Sequence, residues 1–114
     1  MAMDVSAKNV AADAVAAGIT AIALYTGDPD ASSGVALEVS GGSPAYARKT
    51  PVFGAASGGV ATAAALTFDV PAGTTVTHVG YWAGAAWRGS DPVPNEVFAS
   101  QGQLDVTASI DFSA

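Results

Sequence analysis

The sequence predicts a mainly β chain: an antiparallel β-sandwich or jelly-roll-like barrel with one N-terminal α-helix. Three observations carry that prediction. Leu104, Val106, Ala108, Ile110 and Phe112 alternate with Asp105, Thr107, Ser109 and Asp111, the period of a strand with one buried and one wet face. Short β-branched and aromatic runs recur between Gly-, Pro- and Ser-rich breaks, enough for seven or eight strands. Only Asp4 to Ala17 has a helical period. The organisation that follows is a helix over 1–18 and a β-sandwich over 19–114, one domain overall, since 114 residues suffice for a single core.

In the helix, Asp4 is a suitable N-cap and Gly18 a suitable stop. Ala7, Val10, Ala11, Ala14 and Val15 recur at spacings of three and four. This narrow stripe is expected to lie against a sheet or another subunit, because so short a helix does not stand alone. Ile19 to Thr26 reads as an interior strand, apolar on both faces. Gly27 to Ala36 is a loop, and Leu37 to Val39 a short strand broken by Gly41-Gly42-Ser43-Pro44. Tyr46 and Arg48 share one face if extended, and Pro51 confines its segment to an edge, a bulge or a strand start.

Val60 to Phe68 is the next strand. It leads into Phe68–Trp82, read as the core hairpin: Pro71-Ala72-Gly73 turns the chain, and Val76, Val79, Tyr81 and Trp82 follow. Ala83 to Ala86 turns again, Trp87-Arg88 begin a short return, Asp91 to Asn95 is a loop with two prolines, and Glu96 to Ser100 a short strand. Gln103 to Ser113 is the last strand.

Composition restricts function. Ten acids against four scattered bases give a net charge of −6, which repels nucleic acid. No apolar run reaches the roughly 18 residues of a membrane span, and the N-terminus lacks the basic region of a secretory signal. There is no cysteine, hence no thiolate chemistry. With 26 alanines and 13 glycines the core rests on few large side chains, so burial against neighbouring subunits is expected.

No residue set stands out as catalytic. A Ser–His–Asp triad has to use His78, the only histidine, and no nucleophile elbow accompanies it. Asp28 and Asp30 lack the further ligands of a calcium loop, and Pro29 explains them as a turn. Asp105 and Asp111 on one extended strand lie roughly 20 Å apart, too far for paired acid–base work. Tyr81 and Trp82 are adjacent and point to opposite faces of a strand, so at most one faces the core and the other is exposed or at an interface. No catalytic, cofactor or metal residue is assigned; the candidate interface residues are Val10, Ala14, Tyr81, Trp82 and Trp87.

The order ALYTGDP, EVSGGSPAYAR, VFGAASGG and LTFDVPAGTTVTHVGYW resembles a family of small virion proteins of actinobacterial tailed phages, from Ala11 to Phe112. The most specific pieces are Glu38-Val39-Ser40-Gly41-Gly42, Tyr46-Ala47-Arg48 and Pro71-Ala72-Gly73-Thr74. The resemblance implies a non-enzymatic structural protein on the virion surface, assembled in the host cytoplasm and without cofactor. Its main reading is a capsid decoration protein that docks on the major capsid protein; the alternative is a tail-fibre or tail-tip module for host recognition. The implied partners are copies of itself, a trimer favoured, and a major capsid or tail protein.

Overall fold

The structure is a computed structural model and describes residues 3–113. Helix α1 (Val5–Gly18) precedes β1 (Ala21–Tyr25), a short 3₁₀ turn (Asp30–Ser32), β2 (Val60–Thr62), β3 (Leu66–Val70), β4 (Thr74–Ala83), β5 (Ala86–Phe98), β6 (Gly102–Val106) and β7 (Ser109–Asp111). The strands form three antiparallel sheets, β1–β4–β5, β2–β7 and β3–β6, and none closes into a barrel. The predicted fold class holds in its mainly β, antiparallel and one-helix terms.

The main core lies on one face of β1–β4–β5. Ile22, Leu24, Phe68, Val70, Val76 and Val79 are buried there. Each such side chain contributes roughly 1.5–3 kcal/mol on full burial.

Several elements differ from expectation. Phe68–Trp82 is not a hairpin. β3 pairs with β6, whereas β4 pairs with β1 and β5, so the Pro71-Ala72-Gly73 turn carries the chain from one sheet to another. Phe68 and Val76 still share the main core, but from different sheets rather than along one ladder. The hairpin that exists is β4–β5, joined at Gly84-Ala85; Gly84 has φ +60, as the first loop position of a type II′ turn requires. β5 runs through Asp91–Asn95, the expected loop. It is the end strand of its sheet, where Pro92 and Pro94 are tolerated.

Two predicted strands are each divided. Val60 to Phe68 breaks at Ala63–Ala65 into β2 and β3, and Gln103 to Ser113 breaks at Thr107-Ala108 into β6 and β7. The alternation survives the break, with Val106 and Ala108 buried and Asp105 and Thr107 exposed, but the halves pair with different sheets. Leu37–Val39 forms no strand: Leu37 takes φ +71 and only Glu38 bridges Tyr25. β1 is buried on both faces, yet it is an end strand in hydrogen bonding. Its outer edge is covered by single bridges from Glu38 and Lys49.

The helix is rotated relative to the expected stripe. Ala12 and Ala16 are buried against Ala61, while Val10 is 69% exposed and Ala14 is also exposed. The cause is polar. Asn9 Oδ1 accepts the Gly59 N–H and Asp13 Oδ1 the Ala56 N–H, both at 2.8 Å, and this fastens the opposite face inward. The N-cap is as expected: Asp4 Oδ2 accepts from Ser6 N–H at 3.1 Å.

Candidate functional site

A second cluster lies on the face of β1–β4–β5 away from the main core, built from Tyr25, Trp82 and Trp87. Its geometry follows from register. Gly80 sits opposite Ala23 on β1, and Trp82 opposite Trp87 on β5. Because residue 80 has no side chain, the rings of Tyr25 and Trp87 close over it; a Cβ there would lie 2.5 Å from Tyr25 and 2.7 Å from Trp87. The rings meet edge to face, with centroids 5.7 Å apart for Tyr25–Trp87 and 5.3 Å for Trp82–Trp87. Trp82 Nε1 donates to Tyr25 Oη, which donates to the Gly34 carbonyl, each at 3.0 Å. Both polar tips are therefore satisfied, which makes this burial affordable.

A charged network borders the cluster. The Arg48 guanidinium lies 4.5 Å from the Trp82 ring centroid, a cation–π contact. The same group forks onto Glu38, Nε to Oε2 at 2.9 Å and Nη2 to Oε1 at 2.8 Å. Tyr46 Oη donates to Glu38 Oε2 at 2.8 Å and accepts the Leu24 N–H at 2.9 Å, and its ring stacks on Phe68. Burial raises the Glu38 carboxyl, but hydrogen bonds from Arg48 and Tyr46 outweigh it and hold the group below its ordinary value. Burial pushes the Tyr46 phenol up, and the neighbouring carboxylate adds to the rise.

On the other face, Tyr81 is buried at the floor of a groove of about 580 Å³ between β5 and the β6–β7 segment. Val15, Ile19, Val93, Ile110 and Phe112 line it. Tyr81 Oη donates to Asp91 Oδ2 at 2.7 Å; burial, then that carboxylate, raises its pKa.

The sequence-derived candidates therefore separate. Tyr81 and Trp82 do point to opposite faces, but both are buried: Tyr81 lies in the main core, and the 27–36 loop with Arg48 covers Trp82 on the second face. Trp87 packs on Trp82 and is half-buried, and Val10 and Ala14 lie apart from all three on the outer side of α1. Tyr25, Gly34 and Gly80 were not singled out by the sequence. The pairing of Tyr46 with Arg48 was, but the two converge on Glu38, and the ring under Arg48 is Trp82.

The weighed catalytic groups do not converge. His78 Nδ1 lies 2.8 Å from Thr77 Oγ1. Asp28 Oδ1 accepts the Asp30 N–H, an Asx turn. Asp105 accepts from Thr67 at 2.6 Å, and Asp111 from Ser113 at 2.7 Å.

Residues 3–90 match the family model described as Gp80, podophage GP4 fiber I protein gp80. The chain belongs to this fibre-protein family. The match covers α1, β1, the whole aromatic cluster and β2–β4, and ends within β5, before β6 and β7. It favours the tail-fibre reading over capsid decoration. Neither a curated protein nor a solved structure matches the chain.

Proposed function

We propose that this gp80-family protein is a non-enzymatic structural component of a phage tail fibre, exposed on the virion. The observation that carries the reading is the family match over residues 3–90. The geometry supports a structural role, since the most elaborate polar network in the fold serves to fasten one segment of the chain to another. Copy number and position test it. Quantitative mass spectrometry of purified particles, with antibody labelling seen by electron microscopy, should find few copies, on the tail. Hundreds of copies on the shell would return the capsid reading.

We further propose that copies of the chain join through the outer face of α1. Val10 and Ala14 are exposed there, whereas Asn9 and Asp13, on the flank of the helix, accept the Gly59 and Ala56 N–H groups. A closed homo-oligomer, with a trimer favoured, buries such a face without leaving an open end. Sedimentation of the purified protein reads this directly: a monomer at all concentrations overturns it.

A further inference from the structure

We propose that residues 27–36 form a lid that swings off the β1–β4–β5 sheet as a unit, uncovering Tyr25, Trp82 and Trp87 while the main core stays folded. The inference is independent of the fibre assignment.

The lid is a body in itself. Its ends are drawn together by the Thr26 N–H, which donates to the Leu37 carbonyl at 2.9 Å. Inside, Gly34 N–H donates to the Pro29 carbonyl at 2.9 Å, and Ser32 Oγ accepts the Ala36 N–H at 3.0 Å. A compact loop of about a dozen residues with joined ends has the form of an Ω-loop.

Its attachment to the rest is slight. Among residues 27–36 only Pro29 and Gly34 are buried, and Val35 is 82% exposed. Two side-chain hydrogen bonds reach across: Tyr25 Oη to the Gly34 carbonyl, and Ser90 Oγ to Asp30 Oδ2, each at 3.0 Å. Few buried apolar contacts and an exposed backbone place a segment at the low end of local stability. The neck, by contrast, is held firmly. Val39 is buried in the main core, and Glu38 is gripped by Arg48 and Tyr46. Motion is therefore confined to the lid between Thr26 and Leu37, and Leu37, at φ +71, already holds an unfavourable conformation at that hinge.

Below the lid the surface is ready-made. The three rings pack on each other, and Arg48 remains over Trp82 through its bond to Glu38, so opening removes the cover without dismantling the floor.

The chain's two tryptophans both lie in this floor, so their fluorescence reports on the lid. In the unmodified protein, native-state hydrogen exchange should show the indole N–H of Trp82, which lies buried under the lid, roughly 100-fold less protected than the amides of β4. Equal protection overturns the proposal. In Gly34→Ala, the new Cβ would meet Trp87 at 2.3 Å and hold the lid off. Tryptophan emission should move to the red and acrylamide quenching rise, while the far-UV spectrum keeps its β signature. Unchanged quenching overturns the proposal. So does loss of the whole fold, which would make the lid part of the single cooperative unit.

Discussion

The two faces of the β1–β4–β5 sheet are buried by different means. One is covered by other strands, with aliphatic side chains and Phe68 interlocking across the layers. The other is covered by an irregular segment over three aromatic rings, held by hydrogen bonds and one ion pair. Strand-covered burial is non-directional and spread over many residues, so it resists local opening. Burial under a loop depends on a few directional contacts and on glycines that permit close approach. The same sheet thus carries a cooperative core on one side and a separable cover on the other.

Substitutions separate the two faces. The largest effect is expected from Phe68→Ala, about 3–5 kcal/mol of global stability, measured by denaturant unfolding. Secondary structure and tryptophan signals should be lost together. Gly80→Ala should cost about 1–3 kcal/mol through overpacking against Tyr25 and Trp87. It should disturb near-UV aromatic signals more than the far-UV spectrum; an equal loss of both would show that the faces are one unit. Arg48→Met, which keeps the stem but removes the fork, should cost about 1 kcal/mol and increase tryptophan quenching.

pH sharpens the comparison. The Glu38 carboxyl is held below its ordinary 4.5, so its contribution is complete above that value and lost as pH falls through the folded value. Acid should therefore loosen the Glu38–Arg48 border first, and Glu38→Gln should remove that step from a fluorescence titration. Tyr81 is raised above its ordinary 10.0, so its contribution is complete below pH 10 and lost as pH rises beyond it. Burial raises Tyr25 and Tyr46 as well, so alkali should act on both faces, and Tyr81→Phe should remove only the main-core share of the transition. The smallest stability change, within about 0.5 kcal/mol, is expected for Val10→Asp. That variant should nonetheless weaken self-association in sedimentation.

Much of the fold was legible because local chemistry and final environment agree. Asp4 caps α1, the alternation turns Leu104, Val106, Ala108 and Ile110 inward though it leaves Phe112 exposed, and the Gly84-Ala85 turn joins two strands. The aromatic site was legible only in pieces. Tyr81 and Trp82 are adjacent and so point to opposite faces, and Tyr46 and Arg48 lie two apart. No spacing places Gly34 under Trp87, or Glu38 between Tyr46 and Arg48, because those contacts join segments that are far apart in the chain.

By itself the sequence determined a mainly β chain with one capped helix, the in–out alternation of its last strands, and its resemblance to virion proteins. Those rest on period, turn chemistry and motif, which act over a few residues. Tertiary structure alone decided which strands pair, so that Pro71-Ala72-Gly73 became a crossing between sheets instead of a hairpin. It also decided that α1 turns Val10 outward, because Asn9 and Asp13 find backbone donors in the 56–59 segment, and that Trp82 is buried, because the lid covers it. Pairing partners and covers are chosen by burial and hydrogen-bond satisfaction over the whole chain, and no local pattern encodes them.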